Sequence, residues 1–444
     1  MDLNVFISNV SNIVWGPILL VLLIGTGIWM SSMLGFIQIR YFFKALKLVF
    51  AGRKGSGEGD ITPFQALATE LAGTVGTGNI AGVATAIASG GPGAIFWMWL
   101  SAFFGMATKF SESVLAVKYR ERNIYGLYSG GPMYYISKGL GLKWLGLLFA
   151  FFGFIASFGI GCMVQSHSVS VALQNSFGVH VGVTGTLLMI FTAFVIIGGI
   201  KRIALITGRL VPFMCFLYFL SALIIIIVNY DKIFHVFYLI IYSAFNPTAA
   251  LGGFAGAAVR DAMRFGVARG IFSNEAGLGS TPIAHAAAIT DNSVKQGLIS
   301  MTGVFFDSIV ICSMTAFCIL LTDSWHSGLS TTALTNASFA SVYGYLGPSI
   351  VSISLVFFAY STILGWSYYG VQCTRFLLGD RFIILYKIIF CLAVFYGALR
   401  ETEVVWALSD IFNGLMAFPN LIALLALSFV VKKTFKENIK KIEL

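Results

Sequence analysis

The sequence ATELAGTVGTGNIAGV, residues 68–83, places four glycines in an otherwise apolar segment: Gly73, Gly76, Gly78 and Gly82. Because each glycine in a helix interior costs about 1 kcal/mol relative to alanine, we expect a helix that breaks here. A break frees backbone N–H and C=O groups, which hydrocarbon tolerates only where they line a polar cavity. Free amides suit a carboxylate and free carbonyls suit a sodium ion. Thr74, Thr77 and Asn79 add side-chain oxygens at the same level. The segment therefore predicts a binding site inside a membrane.

The composition around this segment is that of a membrane protein. Of the 444 residues, 58% are hydrophobic and 10% are charged, whereas soluble domains are about 25% charged. This excludes a soluble enzyme and a nucleic-acid-binding protein. The six cysteines form no CxxC pair, so neither a metal centre nor a disulfide framework is indicated.

Eleven segments are long and apolar enough to be membrane-spanning helices, which need about 20 residues. We number them spans 1–11: 14–36, 63–89, 94–117, 144–176, 181–200, 207–229, 250–290, 296–322, 349–378, 383–399 and 404–431. The segment Thr332–Tyr345 resembles a short surface helix more than a span. The fold class predicted is therefore an all-α polytopic membrane protein.

The distribution of positive charge predicts the orientation. With the N-terminus outside, 23 of the 28 Lys and Arg residues fall on the inner side, as the positive-inside rule requires. This count assigns Lys109 to the second inner loop and Arg209 to the third. We expect a multi-pass protein of the inner (cytoplasmic) membrane with a cytoplasmic C-terminus.

Eleven spans can be divided into one extra helix and two halves of five, and an odd number of spans per half makes the halves inverted. This division gives an N-terminal helix with the first inner loop (1–50), a first repeat of spans 2–6 (51–232), a second repeat of spans 7–11 (233–431) and a basic tail (432–444). Inverted repeats whose first helices are broken are typical of secondary transporters.

Span 7 has an interruption at the position that matches the one in span 2. Residues 270–285 read GIFSNEAGLGSTPIAH, in which Gly277, Gly279 and Pro282 interrupt the helix beside Ser273, Asn274 and Glu275. Two interrupted polar helices at the start of the two halves indicate the binding site. The alternative for the glycines of span 2 is a close-packing helix face. A phosphate loop is excluded, since GTVGTGN has no lysine and follows no strand.

Span 9 presents two adjacent hydroxyl groups, Ser361 and Thr362, near its middle. The carbonyl of Phe358 lies three to four residues earlier and so on the same helix face. Such an all-oxygen cage suits a sodium ion. In the alternative interpretation, the hydroxyls only bond back to their own helix. Trp366, one turn later, is a candidate cap over a small substrate, with packing as its alternative.

Three segments together, GTVGTGNIAGVATAI (73–87), RGIFSNEAGLGSTPIAHAAA (269–288) and AYSTILGWSYYG (359–370), resemble the sodium:alanine/glycine symporters over nearly the whole chain. The resemblance implies the fold of the bacterial leucine transporter with one additional N-terminal helix. It also implies sodium-coupled uptake of alanine, glycine and sometimes serine, in the L or D form. The chain departs from the family pattern at Cys162 and His167, where members commonly have Asn.

The resemblance also implies roles for individual residues. The substrate carboxylate would meet the backbone of Thr77 and Gly78, with Asn79 beside it. The rest of the substrate pocket would comprise Gln165, Ser273, Asn274, Gly277, Thr362 and Trp366. A co-transported sodium ion would lie between the carbonyls of Ala72 and Val75 and the oxygens of Phe358, Ser361 and Thr362. The partners implied are thus a small neutral amino acid, sodium and the lipid bilayer, without nucleic acid or an obligate protein partner.

Several ionisable residues lie in or near spans: Glu70, Glu112, Glu275, Asp307 and Asp410. For Glu275 we favour a role in holding the interrupted segment over binding the substrate ammonium. Proton coupling through Glu70, Asp307 or His167 remains an alternative to sodium, and a channel is a further one. A membrane-embedded enzyme is disfavoured, because neither HExxH nor GxSxG occurs.

Overall fold

The computed structural model describes residues 3–246, 259–400 and 403–443. This part of the chain is helical apart from a short antiparallel pair of strands, Glu121–Arg122 and Tyr128–Ser129. The beginning of predicted span 7, residues 250–258, lies outside the described residues. The prediction of an all-α protein is confirmed.

The helices of the first part of the chain are Leu3–Val14, Pro17–Met33, Ile37–Arg40, Phe42–Ala51, Pro63–Thr74, Gly78–Gly82, Val83–Gly90, Ala94–Lys118, Pro132–Gly139, Lys143–Phe158, Gly159–Met163, Val164–Phe177, Val181–Ile197, Gly199–Val228, Tyr230–Lys232 and Ile233–Phe245. Those of the second part are Val259–Asn274, Pro282–Ala286, Ser293–Val304, Phe305–Cys312, Ser313–Leu321, Ser324–Ser327, Thr331–Tyr343, Gly344–Leu346, Gly347–Leu378, Asp380–Phe382, Ile383–Leu399, Glu403–Ala426, Ser428–Asn438 and Lys440–Glu443. Three of them are π-helical turns: Gly78–Gly82, Gly159–Met163 and Phe305–Cys312.

Helices occupy the described part of all eleven predicted spans. Among the described residues, seven helices are long and apolar enough to cross a membrane, and a bent pair in span 2 makes an eighth. The chain is therefore a multi-pass membrane protein, while the full number of spans stays a prediction. The sequence did not predict the apolar helix Ile233–Phe245. Its 13 residues are too short to span a bilayer.

Span 2 is broken where the glycines predict it. Pro63 occupies the first turn of its first half, and Thr62 and Gln65 cap that turn reciprocally, with N···O distances of 3.2 and 3.0 Å. The helix ends at Thr74 and resumes at Gly78, and the two halves enclose an angle of 54°. The backbone around the break is consequently not hydrogen-bonded as in a continuous helix.

Span 7 is interrupted between Asn274 and Pro282. Gly277 and Gly279 have φ angles of +90° and +84°, which residues with a Cβ rarely adopt, so these glycines are what allows the chain to unwind. Glu275 also has a positive φ, +57°. A non-glycine residue in this conformation is strained and needs other contacts to hold it.

The predicted surface helix is present as Thr331–Tyr343. Leu334 and Phe339 are buried on one of its faces. Thr335 on the same face donates a hydrogen bond to the carbonyl of Ile80 in span 2, at 3.3 Å. This short helix thus packs directly against the second half of the broken helix.

Arg120 forms hydrogen bonds to two irregular segments, the one that follows the break of span 7 and the loop that precedes span 2. Its guanidinium donates hydrogen bonds to the carbonyls of Ala286, Ala288, Glu58 and Thr290, at 2.7–3.1 Å. One side chain therefore satisfies four backbone acceptors of two irregular segments, which fixes the ends of both broken helices relative to each other.

Candidate binding site at the two helix breaks

Oxygen atoms of spans 2 and 9 meet in one buried cluster. The Ser361 hydroxyl oxygen lies 2.8 Å from the carbonyl oxygen of Phe358, 3.4 Å from that of Ala72 and 3.5 Å from that of Val75. The Thr362 hydroxyl oxygen lies 3.0 Å from the Phe358 carbonyl oxygen. The structure therefore brings together the five residues that the family resemblance implies for a sodium ion.

The cluster has more acceptors than donors. The Gly76 N–H, which would bond to Ala72 O in a continuous helix, instead donates to Oδ1 of Asn79 at 2.9 Å. The two hydroxyl groups supply two hydrogens for three carbonyl oxygens, one of which already accepts both at 2.8–3.0 Å. The cluster therefore has oxygen lone pairs that receive no hydrogen bond. Buried, uncharged oxygen atoms with free lone pairs are suitable ligands for a sodium ion. The hydroxyls of Ser361 and Thr362 bond to their own helix, and Ser361 also approaches the carbonyls of span 2, while the sodium site stays a prediction.

The absence of a side chain at Gly76 leaves room for the Thr362 hydroxyl, and a first prediction follows from this close packing. A Cβ at position 76 would lie 2.5 Å from the Thr362 hydroxyl oxygen, whereas a Cβ at Gly25 meets nothing within 4 Å. Gly76→Ala must therefore displace Thr362 or widen the break, and we expect sodium-driven uptake to fall at least tenfold. Gly25→Ala is the matched control and should behave like the wild type. Equal uptake by the two variants would contradict the close packing of Gly76 against Thr362.

A cavity of about 720 Å³ reaches the break of span 2. Thr77 and Gly78 line its deep end together with His167 and Phe272. Residues near the N-terminus, such as Asn12, line it as well, so it opens on the side that the sequence predicts to be external. Thr77 and Gly78 are themselves buried, so the cavity reaches the break at its innermost contact with the protein.

Gln165 lies beside the break of span 2. Its side-chain nitrogen donates to the Thr77 hydroxyl at 3.3 Å and to the Ile160 carbonyl at 3.0 Å. Its side-chain oxygen is buried and has no hydrogen-bond partner among the described residues. An unpartnered amide oxygen beside Thr77 is suited to accept a hydrogen bond from a substrate ammonium group.

Asn79 and Ser273, one from each broken helix, meet at the carboxylate of Asp307. Asn79 Nδ2 donates to it at 2.8 Å and Ser273 Oγ at 2.9 Å, and the neighbouring Ser308 hydroxyl donates at 2.8 Å. Asp307 lies in a π-helical turn of span 8, a feature frequent at functional sites. The sequence had placed Asp307 among the ionisable intramembrane residues but had not connected it to the two breaks.

Of the nine predicted substrate residues, only Thr77 and Gly78 line the cavity, and Asn274, Gly277 and Trp366 have contacts elsewhere. Asn274 donates to the Ser308 hydroxyl at 3.0 Å, and the Gly277 carbonyl accepts from Asn420 Nδ2 at 2.9 Å. Trp366 is buried, and its indole N–H donates to Glu275 at 2.9 Å. These contacts hold the interrupted segment of span 7.

Glu275 is held from two sides, which accounts for its strained backbone. Besides the indole of Trp366, the Ser280 hydroxyl donates to its carboxylate. The structural role favoured from the sequence agrees with these contacts.

A buried ion pair crosses from span 3 to the broken helices. Lys109 is fully buried, and its ammonium lies 3.4 Å from Glu70 of span 2 and donates to the Asn274 carbonyl at 2.8 Å. His285 and Ser300 also hydrogen-bond to Glu70. The assignment of Lys109 to an inner loop was therefore wrong: it lies inside the helix Ala94–Lys118.

A model of the sodium:alanine symporter family matches residues 1–443. The chain belongs to this family. It is 52% identical over 449 residues to the sodium/alanine symporter AgcS of Methanococcus maripaludis, covering 98% of each chain. It is 49% identical over 447 residues to an uncharacterized transporter of Haemophilus influenzae, covering 100% of this chain and 98% of the relative.

The solved structure of MhsT in complex with L-phenylalanine aligns with this symporter at a TM-score of 0.54. The alignment covers 85% of this chain and 98% of MhsT at 14% identity, so it bears on the fold alone. It confirms the predicted leucine-transporter-like fold. Family membership confirms a sodium-coupled amino-acid symporter and not an enzyme.

Proposed function

We propose that this symporter carries alanine or glycine, with serine and D-alanine as further candidates, into the cell together with sodium by alternating access. The observation that carries the proposal is the surplus of buried oxygen atoms between Ala72 and Val75 of span 2 and Phe358, Ser361 and Thr362 of span 9. A sodium ion there would link the broken helix to span 9. The same break lies at the end of the cavity, which couples ion and substrate binding.

The substrate carboxylate is proposed to bind the backbone of Thr77 and Gly78, which line the cavity. Gln165 would face the ammonium group. A Cβ at Gly78 would lie 3.3 Å from the Cα of Ser273, so the two broken helices are in close contact beside the proposed carboxylate site. This tight arrangement favours a small side chain. Asn79 and Ser273 would support the pocket through Asp307.

The orientation and the two halves are also part of the proposal. The N-terminus is placed outside and the C-terminus in the cytoplasm, with the inner membrane as the location. Residues 51–232 and 233–431 are proposed as inverted repeats. Lys109 and Arg209 lie inside the helices Ala94–Lys118 and Gly199–Val228, which removes two positive charges from the inner loops, and the remaining bias still supports this orientation.

Uptake of radiolabelled alanine into proteoliposomes tests the proposal. With an inward sodium gradient we expect accumulation, and with potassium in its place we expect none. One sodium ion moving across 100 mV supports about fiftyfold accumulation before any concentration gradient is added. Competition by glycine, serine and D-alanine then ranks the substrates. Accumulation driven by a proton gradient without sodium would replace the proposal by proton coupling, and conductance without accumulation would replace it by a channel.

A further inference from the structure

A second cavity, of about 920 Å³, lies apart from the substrate route. It forms a groove between the helix Phe42–Ala51, the first half of span 2, the helix Gly199–Val228 and the π-helical turn Phe305–Cys312. Along the helix Gly199–Val228 its lining runs from Leu205 to Phe219, a length of about 20 Å at 1.5 Å per residue. We call it the lateral groove.

The lateral groove has an apolar body. Phe64, Phe216, Phe219 and Phe306 line it among other hydrophobic residues. Phe216 is 65% exposed, and Phe50 at the other wall is 72% exposed. In a membrane-spanning chain such exposed aromatic side chains are suited to contact the acyl chains of bilayer lipids.

Two guanidinium groups, Arg53 and Arg209, line the same groove. No acidic residue is among the residues that line it. Neither arginine forms a hydrogen bond or an ion pair with any residue of the described part of the chain. Arg209 lies ten residues inside the apolar helix Gly199–Val228, where an unpaired charge is costly.

We propose that the lateral groove binds one phospholipid with an anionic headgroup. The lipid phosphate would accept hydrogen bonds from Arg53 and Arg209, since a guanidinium matches phosphate oxygens in geometry and charge. One acyl chain would lie along the phenylalanine-lined body. Basic pockets between membrane helices are suited to anionic headgroups, and this arrangement satisfies two arginines that the protein leaves without partners.

The position of the groove links the lipid to the transport site. Leu67, Ala68 and Leu71, in the first half of span 2, form part of its wall. Ala72, the next residue, contributes a carbonyl to the oxygen cluster. A bound lipid therefore supports the half-helix that carries the proposed sodium ligands.

Lipid binding can be measured without transport, so its failure is distinguishable from failure of the proposed function. The purified full-length chain in detergent, without sodium or amino acid, is titrated with phosphatidylglycerol or phosphatidylcholine of identical acyl chains, and bound lipid is counted by native mass spectrometry. Each arginine near an anionic headgroup is expected to raise the affinity about fivefold. With two arginines, we expect phosphatidylglycerol to bind about thirtyfold more tightly than phosphatidylcholine.

Variants locate the site. Arg53→Gln and Arg209→Gln should each reduce the preference for phosphatidylglycerol about fivefold, and the double variant should abolish it. Arg381→Gln, at an exposed arginine outside the groove, is the matched control and should keep the full preference. Equal binding of the two lipids to the wild type would overturn the proposal without any variant. Displacement of the lipid by free glycerol phosphate at equal concentration would also overturn it, because the acyl chain would then contribute nothing.

Discussion

Thr362→Val and Ser361→Ala are each expected to raise the sodium concentration for half-maximal uptake at least tenfold. Each substitution removes one hydroxyl oxygen from the cluster with Phe358 and Ala72 and leaves the shape of the side chain nearly unchanged. Loss of one of about five oxygen ligands weakens binding of a hard cation, and the remaining carbonyl oxygens cannot move into its place because they belong to the backbone. The measurement is initial alanine uptake into proteoliposomes as a function of external sodium.

Two matched substitutions on the same helix provide the controls. Ser354 and Thr374 are buried, and their hydroxyls donate only to their own helix, to Ile350 at 2.9 Å and Gly370 at 2.7 Å. Ser354→Ala and Thr374→Val should therefore leave the sodium dependence unchanged. An identical sodium dependence in Thr362→Val and in the wild type would remove Thr362 from the sodium site, whereas a lower maximal rate at unchanged sodium dependence would indicate a general packing defect.

The parts of the site that could be predicted from the sequence are those set by local rules. The glycines of span 2 predict its break because glycine disfavours a helix interior, and the structure breaks there, between Thr74 and Gly78. Ser361 and Thr362 follow Phe358 by three and four residues, which fixes a common helix face whatever surrounds the helix. That this face of span 9 lies next to Ala72 of span 2 could be inferred only from the family resemblance.

The contacts that could not be predicted depend on which helices pack together. Asp307 is 228 residues from Asn79 along the chain, yet the two side chains hydrogen-bond. No periodicity in either segment indicates this partnership. The position of Trp366 one turn from Thr362 makes it a candidate cap over substrate, with packing as the alternative. Trp366 instead donates to Glu275, a residue of positive φ in another span.

The position of Lys109 is an exception to the rule that charged residues lie in loops and not in membrane spans. A lysine in the second half of an apolar segment is readily counted with the adjacent loop, since a charge in a membrane is costly. Here the cost is offset by Glu70 and by the carbonyl of Asn274, which the break of span 7 leaves available. The buried charge thus depends on the interruption of a different helix. Lys109 links the first half of span 2 to the unwound segment of span 7.

Lys109→Met is expected to lower the free energy of unfolding by about 3–5 kcal/mol, the range for removing one partner of a buried ion pair. Methionine fills a similar volume, so the decrease in the free energy of unfolding measures the removal of the charge and not a change in packing. Glu70 would remain buried with one carboxylate oxygen facing no cation, and the Asn274 carbonyl would lose its donor. Lys118→Met, at the exposed end of the same helix, should change stability by less than about 0.5 kcal/mol. Equilibrium unfolding in mixed micelles measures both.

The double variant Lys109→Met/Glu70→Gln separates the ion pair from simple packing. Removing both charges leaves no uncompensated carboxylate, so its destabilisation should be smaller than the sum of the two single effects by more than about 1 kcal/mol. Strictly additive losses would show that the two side chains act independently and that Lys109 acts through the Asn274 carbonyl and the Thr281 hydroxyl, to which it also donates. Uptake should not recover in the double variant even if stability does, because the carbonyl in the unwound segment of span 7 still lacks its donor. Stability and transport therefore respond to different contacts of one buried ammonium group.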